Sequence, residues 1–387
     1  MMGKIAFLLF FFAAIAETAF AAPLLRSTDI SGTLSYDNVG VSPHPALAGP
    51  RAFAPLPPNV LLSLIRALEH GDLPDSLKKT EESMLSAPAS YPSGGVEYGA
   101  FFRGRLIALA RGGYEKKAFE LLQKLPAGAQ APLAPGAFVA LAALSENYAA
   151  ICGDESRYAP DSQGSADETR LFCAALADKN PTKTGMLIDI IVEQYPEGAP
   201  VRRFAALIKE GKQKEAEKEW RTELLARYFP AEAQAPSPAP RPQFVPPGFA
   251  DVVGTLHARP ALAAGFFDKL YVYSSAEDAP LAPEELFQWL HFFVSRSMPL
   301  PDSLTVALQA ENEKLGAAGD APALLLLLYR MHSGMNPYEA VTLSRDVRLL
   351  SRTGFSKAAK SLTEEFVGAR PAAGASRKRF SKTAPAR

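Results

Sequence analysis

The residues of this chain that could do chemistry by type and spacing are few. Its two cysteines, Cys152 and Cys173, are the first candidates. A redox or metal-binding pair needs C-x-x-C spacing or a histidine close by, and neither is present. In an oxidising compartment the two would close a loop of about 22 residues, worth roughly 3.4 kcal/mol on a chain-entropy estimate. A structural disulfide is therefore expected, with two buried free thiols as the alternative. The five histidines, His44, His70, His257, His291 and His332, are scattered along the chain and show no metal-ligand spacing. There is no phosphate-binding loop, no Gly-x-Ser-x-Gly elbow and no dinucleotide fingerprint. The expectation is a protein without cofactor or metal, and not an enzyme.

Lysine and arginine equal aspartate and glutamate at 41 each, so no global field steers the chain toward nucleic acid. The N-terminus carries an address. Lys4 precedes an apolar run from Ile5 to Ala16, and Ala19-Phe20-Ala21 has the small-x-small form of a signal-peptidase site. Residues 1–21 thus read as a signal peptide cleaved after Ala21. The run is shorter than the roughly 20 residues that span a bilayer. An exported, periplasmic protein is expected, with secretion as the alternative, and no membrane span in the mature chain.

Residues 22–57 are rich in proline and read as an extended spacer. From 58 to 230 the periodicity is helical. Asp167 is placed to cap a helix over 168–178, and a helix led by Pro181 has Met186, Leu187, Ile190 and Ile191 as core. Residues 231–248 hold six prolines and read as a polyproline-type linker. A second helical block occupies 249–368, where Leu286, Trp289, Leu290 and Phe293 share one buried stripe. The tail, 369–387, is basic and of low complexity. Its Arg377, Lys378 and Arg379 are candidate contacts to an anionic envelope polymer.

One pattern recurs across both blocks. An apolar helix end, a glycine and an alanine five residues later occur at Gly113/Ala118, Gly211/Ala216 and Gly354/Ala359. The glycine suits a left-handed helix stop, and the alanine suits a close crossing by the returning helix. This predicts an all-α fold of stacked antiparallel hairpins in two helical blocks. The hairpins resemble tetratricopeptide-type repeats, which implies an α-solenoid that holds a protein partner on its surface. The spacing between copies is irregular, and the aromatic and proline positions of that family are mostly absent.

A second resemblance is local. Glu155-Ser156-Arg157-Tyr158-Ala159-Pro160 is similar to the Glu-Ser-x-aromatic-x-Pro stretch of lytic transglycosylases. It implies Glu155 as general acid/base on peptidoglycan. The chain departs from that family at Gly164-Ser165-Ala166-Asp167, where Gly-Leu-Met-Gln is expected, and it has no Tyr-Asn-x-Gly downstream. The leading expectation is a non-enzymatic scaffold or adaptor of the cell envelope that binds a protein. The alternative is a protein that binds or cleaves peptidoglycan.

Overall fold

The computed structural model describes residues 36–47, 52–53, 56–68, 73–92, 95–126, 136–153, 163–230, 262–276, 281–294, 296, 298–314, 320–332 and 340–369. The expected signal peptide, the proline-rich linker and the basic tail beyond residue 369 lie outside them. The protein is all-α: sixteen α-helices and no strand occur among the described residues. From Asp37 onward the described residues belong to one compact unit.

In chain order the helices are α1 (Pro58–Ala67), α2 (Asp75–Ser86), α3 (Ala100–Arg111), α4 (Glu115–Gln123), α5 (Ala137–Leu144), α6 (Ala149–Cys152) and α7 (Gln163–Phe172). A π-helical turn, Cys173–Ala177, extends α7. Then come α8 (Pro181–Gln194), α9 (Pro200–Lys209), α10 (Gln213–Tyr228), α11 (Ala263–Ala276) and α12 (Pro283–Val294). The last four are α13 (Asp302–Lys314), α14 (Asp320–His332), α15 (Ala340–Arg352) and α16 (Ser356–Ala369). Proline begins α1, α8, α9 and α12, where its missing N–H is not needed.

The three glycine hairpins are built alike. Gly113, Gly211 and Gly354 have φ of 83°, 77° and 92°. The following N–H closes a six-residue turn in each: Tyr114 donates to the Leu109 carbonyl at 2.8 Å, Lys212 to Leu207 at 2.9 Å, and Phe355 to Leu350 at 2.8 Å. This is the Schellman arrangement, which satisfies carbonyls a helix end leaves open. The same residue then opens the returning helix, its carbonyl accepting from Ala118, Ala216 or Ala359. All three alanines are buried, so α3 and α4, α9 and α10, and α15 and α16 pack as antiparallel pairs.

Helices from both sides of residues 231–248 share one core. α12 and α14 pack on α1, and α16 packs on α2. The aromatic stripe of α12 lies inside it: Leu286, Trp289, Leu290 and Phe293 are buried, with Trp289 edge-on to Phe267 of α11 at 5.4 Å between centroids.

Two local expectations change. Within 22–57, read as an extended spacer, Asp37, Leu47, Phe53 and Leu56 are buried, and Val41 N–H bonds the Ser86 carbonyl at 2.8 Å. The prolines there interrupt helices without preventing burial. Secondly, α7 begins at Gln163, so Asp167 is inside the helix and is no cap. Its carboxylate instead takes the Arg170 guanidinium at 3.0 Å and the Tyr195 hydroxyl at 2.8 Å.

Candidate functional site

The ionisable groups of the interior are engaged with backbone groups or with one another. Arg105 on α3 is fully buried. Its Nε donates to the Leu85 carbonyl at 2.8 Å, and its two terminal nitrogens donate to the carbonyls of Asp37 and Val39 at 2.9 and 2.6 Å. The Asp37 carboxylate accepts from Phe102 N–H at 2.7 Å and Gly99 N–H at 3.3 Å, at the first turn of α3. Arg330 and Asp346 form a buried pair at 2.5 Å between α14 and α15. Burial holds the Asp346 carboxyl above its usual range, with the arginine pulling the other way.

A further cluster joins α2, α4 and α14. The buried Glu81 carboxylate accepts the Tyr114 hydroxyl at 2.8 Å and lies 2.6 Å from His332 Nε2. Burial first, then the neighbouring Glu81, pushes the Tyr114 hydroxyl above its ordinary range. Glu168 on α7 is also buried and bonds Arg227 at 3.1 Å, and burial raises its carboxyl. Among the described residues no group of histidine, cysteine, aspartate and glutamate side chains could hold a metal ion. These are the charges of a polar interior, each facing a protein partner.

The predicted disulfide is present. Cys152 and Cys173 are joined with their α-carbons 5.4 Å apart, tying the end of α6 to the π-turn after α7. Glu155 lies outside the described residues, as do Arg377, Lys378 and Arg379.

The outer surface carries a different signal, on α8. The Asn180 side chain caps this helix by accepting from Lys183 N–H at 3.0 Å. At its other end Tyr195 donates to Asp167 of α7, and the Tyr195 carbonyl accepts from Arg202 of α9 at 2.9 Å. With both ends held, Ile188 and Ile191 face inward against α7 and α9. The opposite face exposes Met186 at 63% and Ile190 at 40%, whereas Val192, also exposed, sits about 40° round the helix from the buried Ile188. Met186 and Ile190, expected in the core, are therefore surface residues. An apolar arc wider than one face let the sequence be read with the wrong side inward.

Beside the helix lies an open cavity of about 610 Å³ lined by Leu176, Lys179, Asn180, Ile188, Ile208 and Gln213. A second, of about 540 Å³, opens between α9 and α10 over Phe204 and Trp220. The Arg203, Glu219, Glu168 and Glu223 side chains along it are paired, the first two with each other and the others with Arg227.

No protein-family model, no curated protein and no solved structure matches this chain.

Proposed function

We propose that the protein is an exported, non-enzymatic scaffold of the cell envelope that binds a protein through the outward face of α8. The observation that carries this reading is the pairing of Met186 and Ile190, two large exposed apolar side chains one turn apart on the outward face of α8. Single exposed apolar residues are ordinary; a cluster on one rigid element marks an interaction surface. Export to the periplasm rests on the form of residues 1–21 and agrees with the disulfide. Repeat-like stacking of the kind seen in tetratricopeptide proteins is part of the same reading and rests on the three matched glycine turns.

A photocrosslinking side chain at Met186, compared with one at the exposed Thr222 of α10, tests it in the native envelope. Adducts with a defined protein from position 186 and not from 222 are expected. Equal yields from both positions, or none from either, would sink the reading.

A further inference from the structure

The outward stripe of α8 has an order of its own. Lys183, Met186, Ile190 and Glu193 are spaced 3, 4 and 3 residues apart and are all exposed. That is the a/d seam of a coiled coil, the stripe along which one helix meets another. Turned end over end about Ile188, the stripe matches itself. Position 183 falls on 193 and 186 falls on 190, so lysine meets glutamate and methionine meets isoleucine, twice over.

We propose that α8 is a homodimerisation helix and that its occupant is a second copy of this chain. The two α8 helices run antiparallel across a two-fold axis. The proposal rests on the reading of α8 as a protein-binding face and names the protein bound.

Two features favour a second copy over an unrelated partner. An isologous contact requires a patch complementary to its own reversed image, which a surface shaped for a different protein has no reason to show. In addition, the charges oppose the helix dipole. Lys183 stands in the first turn and Glu193 in the last, each at the end that disfavours its sign. Among the described residues no ion pair offsets either placement. A partner helix running the other way supplies both counter-charges. One helix pair buries little area, so the association should be weak and concentration-dependent.

Charge reversal with sedimentation velocity on the full chain provides the test. Wild type should shift from monomer to dimer as concentration rises. Lys183→Glu or Glu193→Lys alone sets like charges against each other and should weaken the dimer about tenfold. The double variant, Lys183→Glu with Glu193→Lys, restores opposite charges across the axis and should recover the wild-type constant. Both reversals suit the helix dipole, so loss of dimer cannot come from a weakened α8. Met186→Lys should leave a folded monomer, checked by circular dichroism.

A wild type that stays monomeric over the whole range overturns the proposal. So does a dimer that ignores the single reversals, or one that the double variant fails to restore. If the protein is monomeric while a probe at Met186 still captures a different defined protein, the homodimer falls and the partner-binding reading of α8 stands.

Discussion

Arg105 gives the residue scale its sharpest test. Its guanidinium gathers three carbonyls from two separate stretches, Leu85 on one side and Asp37 and Val39 on the other. A lysine is long enough to reach one of them but has no planar fork to hold three. Arg105→Lys should cost about 3 kcal/mol, most of it the desolvation of carbonyls left without donors. Urea titration of the variant checks this, and an unchanged midpoint would remove the clamp from the account. For the disulfide, replacing Cys152 and Cys173 together by serine should cost roughly 3 kcal/mol, since the bridge closes a 21-residue separation. The same melting temperature in wild type and variant would count against it. The cysteine pair was legible because the count and the compartment left few readings. Arg105 was not, since an arginine inside an apolar helix announces neither its burial nor the carbonyls it finds. Met186 and Ile190 were legible as helical and illegible as surface. Which arc of α8 turns inward depends on α7 and α9, and no local period reports that.

At the scale of elements, the glycine turns carry most of the information that sequence and structure share. The period between glycine and alanine follows from how tightly a helix can reverse, so three distant copies have the same hydrogen bonds. At Gly211 an added methyl group would meet nothing within 4 Å. Gly211→Ala should therefore lose only the strain of a left-handed alanine, about 1 kcal/mol, with no steric part. Thermal melting measures it, and a loss several times larger would mean that the turn is packed. The start of α8 was legible because Pro181 leads it. The start of α7 was not, because Asp167 is a good capping residue that the fold uses as an acceptor for Tyr195 instead. Irregular segments before α1 gave no period to read, yet they enter the core one side chain at a time.

For the molecule as a whole, the three described histidines all lie where the chain before residue 231 meets the chain after 248. His44 stacks on Phe355 at 4.3 Å, His291 Nδ1 lies 3.5 Å from Asn59 Nδ2, and His332 pairs with Glu81. Burial lowers the proton affinity of His44, and burial followed by Arg296 lowers that of His291. With folded values below the unfolded one, the unfolded chain takes protons first. Their contribution is whole above the unfolded value, about 6.5, and drains as pH falls through the lower folded values. Melting temperature should therefore drop on mild acidification. Converting His44 and His291 to glutamine should flatten that slope, and a slope that stays the same would place its origin elsewhere. The raised carboxyls of Glu168 and Asp346 act in the opposite sense, gaining stability as they take up protons at lower pH. The seam itself was hidden from the sequence, where a proline-rich stretch marks a boundary but not whether its flanks meet again. It also sets an order of events. Asn59 meets His291 across 232 positions, and Glu81 meets His332 across 251. Contacts that distant form slowly, because the intervening chain must first give up its freedom. A chain made N-terminus first can pack α1 on α3 early, but the part of α1 that α12 and α14 cover stays open until nearly all of the chain has been made, which makes it the surface a holding chaperone would cover longest.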